Sequence, residues 1–162
     1  MSDRSDISVQ PQAFDLATEY AALRERAGDA GAIVTFTGLV REIYNPKVQD
    51  QATEESPIQS LFLEHYPGMT EKCLQDILEQ AAKKWPLLAV RIIHRIGKLK
   101  PGEEIVFVGA ASAHRHAAFD AAQFMMDYLK SNAPFWKKQS TAAGTHWVDS
   151  RESDADAIKR WQ

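Results

Sequence analysis

Cysteine is the scarcest chemistry-bearing residue in this chain: Cys73 stands alone among 162 residues. One thiol cannot close an internal disulfide, nor can it build a cysteine-rich zinc site. Cys73 falls on the apolar stripe of a helical pattern, where a buried, inert thiol is expected. Long apolar runs are missing as well, so no segment reaches the ~20 residues that a membrane-crossing helix needs. The polar opening MSDRSDISVQ has no apolar leader core. These absences make a cytoplasmic location the expectation. Positive charge is not in excess, because the net charge is −3, and this argues against a general nucleic-acid surface. Neither GxGxxG nor GxxxxGK[ST] occurs, so no glycine-rich phosphate loop is present. Ser112 sits in no GxSxG elbow, which disfavours a serine hydrolase.

What is present suits one domain over 1–162, since a chain of this length with 44% hydrophobic residues can bury a real core. Residues 7–9 form a short strand pattern before Pro11. Asp15 is placed to cap a helix whose Leu16, Tyr20 and Leu23 share a face and which ends near Gly28. Residues 31–40, GAIVTFTGLV, are β-branched and alternating, a strand pattern, with Arg41 at its exit. Residues 45–57 are polar and aperiodic, a surface loop. A strand follows over 58–65. Met69, Cys73, Leu74, Ile77, Leu78, Ala81 and Trp85 then line one side of a helix that Pro86 ends. Segments 88–96 and 104–110 are apolar enough for interior strands, joined by the turn LKPGEE. Segments 135–141 and 145–148 form a hairpin around AAG, and a C-terminal helix or tail, capped by Ser153, occupies 150–162. Strands and helices mix without a βαβ rhythm, so the fold class is α+β.

The stretch 112–138 runs against the acidic background, with Arg115, Lys130, Lys137 and Lys138 against Asp120 and Asp127. Its apolar positions fit a helix buried on two faces, stopped by Asn132 and Pro134. His114 and Arg115 mark the start of that helix and Lys130 its last turn. The proline break lets the chain fold back and bring Lys137 towards Lys130. A last-turn lysine also complements the helix dipole without any function, and a lysine pair is often plain solvated surface. His114 and His116 point about 200° apart at a helix start, a poor metal pair. The cations at element ends nevertheless form an anion site suited to a phosphorylated small molecule. Phe135 and Trp136 are candidate walls, with plain core as the other reading.

GAIVTFTGLVR, LEHYPGM, WPL, IHRIG, PGEEIVFVG, SAHR, MDYLK and PFWKK occur in that order. Together they resemble the large, catalytic subunits of molybdopterin synthase, the MoaE family. That resemblance implies an α/β hammerhead fold with an additional antiparallel β-sheet. It also implies a homodimer that binds a small ubiquitin-like sulfur carrier at each end, a heterotetramer. Sulfur would pass from the carrier's C-terminal Gly-Gly thiocarboxylate to cyclic pyranopterin monophosphate and form the molybdopterin dithiolene, with no cofactor and no metal. By motif match the catalytic lysines are Lys130 and Lys137. Substrate-binding positions are Arg41, His114, Arg115 and Arg151, with Phe36 and Met126 lining the pocket. The resemblance allows Arg151 to come from the neighbouring subunit. The rival reading is a non-catalytic docking module for a ubiquitin-like protein; a phosphohydrolase lacks a nucleophile or metal set.

Overall fold

Alternating and continuous apolar runs in the chain become two four-stranded sheets around helices. The structure, a computed structural model, describes residues 6–41, 58–141, 144–148 and 152–162. The expected loop 45–57 and Arg151 lie outside the described residues. In chain order the elements are β1 (Ile7–Gln10), α1 (Leu16–Ala27), β2 (Ala32–Leu39), β3 (Ile58–His65), α2 (Met69–Lys84), β4 (Leu87–Arg95) and β5 (Gly97–Leu99). They continue as β6 (Glu104–Ser112), α3 (Arg115–Asn132), β7 (Phe135–Thr141), β8 (Gly144–Val148) and α4 (Glu152–Ile158), with a 3₁₀ turn at Lys159–Trp161.

The first sheet has the order β1-β4-β6-β2 and the second β5-β3-β7-β8. Among the described residues only the β1–β4 pair is parallel; β4–β6, β2–β6 and every pairing of the second sheet are antiparallel. This is the expected α+β class with an added antiparallel sheet. One buried cluster joins both sheets, with Val90, Ile92 and Val108 from the first, Leu61, Leu63 and Leu99 from the second, and Leu74, Leu78, Phe124 and Met125 from the helices. β4 is buried at six of its nine positions because α1 lies on one face of the first sheet while α2 and α3 cover the other.

The chain changes sheets at Gly97, whose φ of 84° suits glycine. The short β5 that follows was not separable in the sequence from the turn after it. That turn closes where the Lys100 N–H donates to the Glu103 carboxylate at 2.6 Å. Gly109 marks a different constraint: a Cβ there would stand 2.5 Å from Leu23 Cδ2, so the close approach of α1 to β6 needs glycine.

Four sequence expectations change. Asp15 does cap α1, accepting from the Thr18 N–H at 2.8 Å, but Leu16 and Tyr20 are 37% and 42% exposed. Only Leu23 and Ala27 of α1 are buried, because the helix meets β4 and β6 through its C-terminal half. Cys73 is half-buried, at the edge of the α2 stripe, whose fully buried line runs through Leu74, Leu78 and Ala81. Ser153 lies within α4, not at its cap. Trp136, a candidate wall, faces outward, as described below.

Candidate active site

The helix α3 owes its position to its small buried face. Ala118, Ala121 and Ala122 let it lie close over β6 and β2, and Phe124, Met125, Met126 and Leu129 fill the core beneath. It ends at Asn132, and Ala133 and Pro134 turn the chain into β7, with Ala133 already extended at φ −75° and ψ 128°. Lys130 thus stands half-buried in the last turn, five residues before Phe135 opens the strand.

Strand alternation then separates the neighbouring lysines. In the β3–β7 register Lys137 pairs with Leu63 and Lys138 with Phe62. Paired residues share a face. Leu63 is buried to 1% and Phe62 is 40% exposed. Lys137 therefore lies on the core side of the second sheet with Phe135, while Lys138 and Trp136 lie on the outer side. Trp136 is 47% exposed and walls nothing inside.

His94 occupies the junction between the sheets. It is 3% exposed near the end of β4, three residues before the chain crosses to β5 at Gly97. Its ring stacks on Phe135 at a centroid distance of 3.9 Å and an interplanar angle of 20°. Its Nδ1 lies 2.8 Å from the Arg95 carbonyl oxygen. Burial pushes the imidazole pKa down to about 3; the carbonyl contact opposes this, and the charges of Lys130 and Lys137 push the same way as burial. The charges of both lysines thus bear on one buried ring. In the sequence this histidine stands out only as part of IHRIG. The signal was available: a histidine inside an apolar interior strand must either be satisfied or be used.

The other expected residues divide between the two ends of α3. β6 runs from Glu104 to Ser112 and α3 returns over it, so Lys130 comes back to the end where β2 pairs Leu39 with Glu104. Arg41 leaves β2 at this end and is exposed. Val40 before it is tied to the adjacent turn, where Val40 N–H donates to the Glu103 carbonyl at 2.9 Å and Gly102 N–H to the Val40 carbonyl at 2.8 Å. Met126, one turn before Lys130, is buried to 8%, and Phe36 on β2 is 43% exposed. His114 is the N-cap residue of α3, with no side-chain capping bond, and Arg115 is its first residue; both are exposed. At 1.5 Å rise per residue they lie about 22 Å from Lys130 along the axis. Within one chain they therefore stand a helix length from the lysines, as the sequence placed them at opposite ends of α3.

A cavity of about 360 Å³ lies elsewhere, lined by residues of β1, α1 and β4. Its two arginines are engaged, Arg26 with Asp6 at 2.7 Å and Arg91 with Glu19 at 3.3 Å. Among the described residues no three His, Cys, Asp or Glu side chains cluster as metal ligands. No helix among them is long and apolar enough to cross a membrane.

Two sheets that share one core with α2 and α3 define an α+β protein. Comparison with known proteins gives the narrower assignment. Residues 9–132 match the family model described as MoaE protein, and the chain belongs to that family. It is 55% identical over 155 residues to the molybdopterin synthase catalytic subunit of Escherichia coli (strain K12), covering 96% of this chain and 97% of that one. The fold superposes on the molybdopterin biosynthesis MoaE protein from Burkholderia ambifaria with a TM-score of 0.78 at 44% identity, covering 96% of each chain. A Helicobacter pylori complex of subunits 1 and 2 of molybdopterin-converting factor shares the fold, with a TM-score of 0.70 at 19% identity over 90% of this chain and 92% of that one.

Proposed function

We propose that this chain is the catalytic subunit of a molybdopterin synthase. It moves sulfur from the C-terminal thiocarboxylate of a small ubiquitin-like carrier to cyclic pyranopterin monophosphate, forming the dithiolene. The observation that supports this most is the family match, together with the placement of Lys130 in the last turn of α3 and of Lys137 on the core-facing side of β7. Both reactants are anionic, and acyl transfer through a tetrahedral intermediate needs a stabilised oxyanion and a proton donor. Ammonium groups on the end of a rigid helix and on a paired strand supply both. Lys130 and Lys137 are the catalytic residues in this reading, and Arg41, Phe36 and Met126 belong to the same end of α3.

His114 and Arg115 supply a second cationic point at the start of α3, suited to the cyclic phosphate. Their separation from Lys130 favours a pocket shared between the subunits of a homodimer, each chain lending its helix start, and Arg151, to the other. The carrier seats on each such pocket, giving a heterotetramer; the Helicobacter pylori relative was itself solved as a two-subunit complex. The whole chain acts as one domain, in the cytoplasm.

The test is product formation from thiocarboxylated carrier and cyclic pyranopterin monophosphate. Wild-type chain should form dithiolene, and Lys130→Ala should form almost none while still binding carrier. A wild-type chain that binds carrier and makes no product would favour the docking-module reading. A monomer by light scattering at micromolar concentration would remove the shared pocket.

A further inference from the structure

The buried His94 ring sits at the junction of the two sheets, stacked on Phe135 two residues before Lys137. A carbonyl oxygen can only accept, so the contact of 2.8 Å between His94 Nδ1 and the Arg95 carbonyl requires the proton on Nδ1. In a neutral imidazole Nε2 is then a bare acceptor. Among the described residues no hydrogen bond reaches it, although the ring is only 3% exposed. The stacked Phe135 fixes the ring plane. Phe135 also fixes the neighbours, because Lys137 is the next residue on the same face of β7 and Lys130 closes the helix before the break.

We propose that His94 is a positioning residue for the lysine pair: its neutral Nε2, unfilled in the structure, is the acceptor to which the ammonium of Lys130 or Lys137 turns, and it holds that ammonium towards the reacting groups. This rests on the assignment of the two lysines as the cations of sulfur transfer. The depressed pKa is consistent with it, since a ring that stays neutral at pH 7 accepts beside two cations without adding a third charge. Histidine suits the task better than a carboxylate would. It orients an ammonium while leaving the net positive charge of the pocket intact for anionic reactants.

Two measurements test the proposal separately from the function. The first is the ring ¹⁵N and ¹H spectrum of His94 in the wild-type chain and in Lys130→Ala and Lys137→Ala. The expected result is a neutral ring protonated on Nδ1, with the Nε2 shift moving by several parts per million in at least one lysine variant. A proton on Nε2, or a shift unmoved in both variants, overturns it even if both lysines prove essential. The second is activity. His94→Phe keeps the stacked ring but removes both nitrogens, and His94→Gln returns an acceptor near the Nε2 position. The phenylalanine variant should lose about 10²-fold in rate, the scale of an Å-sized misplacement, with carrier binding retained. The glutamine variant should recover most of that loss. Wild-type rate in His94→Phe overturns the proposal. Were that variant not to fold, the spectra still decide. Full sulfur transfer in the lysine variants would remove the functional reading, and the Nε2 shift would then report the contact alone.

Discussion

The Thr70 hydroxyl donates to the Pro134 carbonyl at 3.0 Å and accepts the Tyr66 N–H at 3.0 Å. One fully buried side chain thus ties the start of α2 to the break that separates Lys130 from Lys137. Thr70→Val keeps the shape and strands both partners. Leaving buried polar groups unpaired should cost about 1–3 kcal/mol, visible as a lower unfolding midpoint. Dithiolene formation should fall further than carrier affinity, because the lysine spacing loosens. A variant with unchanged stability and rate would show that the pin does nothing.

Lys137 and Lys138 are adjacent in sequence and face opposite sides of the second sheet. Lys137→Ala should lose ~10²–10³ in rate, the scale of removing one preorganised donor. Lys138→Ala, on the outer face with Phe62 and Trp136, should stay within a few-fold. Equal losses in single-turnover assays would mean that the β3–β7 register does not select the working lysine.

Lys130 admits a finer distinction. Its alanine variant should lose most product formation but little stability, since a last-turn lysine contributes only ~0.3–1 kcal/mol through the helix dipole. Lys130→Arg keeps the charge and does not give up a proton near neutral pH. If Lys130 transfers a proton, arginine should be nearly as inactive as alanine; if it supplies charge alone, activity should largely return. The rate of product formation across the three chains decides.

His94 also sets a pH dependence of stability. Its imidazole titrates at about 3 in the folded chain against an ordinary 6.5. Between those values the unfolded chain carries the extra proton, so acid favours unfolding. The contribution is fully present above pH 6.5 and drains away as pH falls towards 3, by up to about 1.4 kcal/mol per unit. Denaturant midpoints at pH 7 and pH 5 should therefore separate less in His94→Gln than in the wild type. An identical pH slope in the two would mean that the ring is protonated in the folded state.

The end of the chain is held by Trp161, whose Nε1 donates to Asp127 at 2.7 Å and whose ring packs edge-on against Trp85 and Phe124. Gln123 donates to the other oxygen of Asp127 at 2.8 Å, so this buried carboxylate is satisfied by its own helix and by the tail. Trp161→Ala should lower stability by about 2–3 kcal/mol, less than a fully buried tryptophan because the ring is half-exposed. Thermal unfolding measures it, and an unchanged midpoint would mean that the tail is not docked in solution.

Much of this fold was written locally. The Asp15 cap, the β-branched run of β2, the stripe of α2 and the stop at Asn132–Pro134 depend on near neighbours and on backbone geometry, so they could be read residue by residue. The same holds for the cations at the ends of α3 and for the ordered motifs that point to the family. Burial was less legible. Leu16, Tyr20 and Cys73 sit on apolar stripes, yet how much of a stripe is covered depends on how far the partner sheet extends beneath it.

The sequence by itself determined that residues 137 and 138 face opposite ways, because alternation is a property of any strand. It also determined that a cation would stand at each end of α3. Only the tertiary structure decided which lysine faces inward, through the pairing of Lys137 with the buried Leu63. It decided too that His94 is buried at the junction of the two sheets and stacked on Phe135. Register and sheet order are set by burying both sheets in one core, so they are properties of the assembled fold, and no window of sequence contains them.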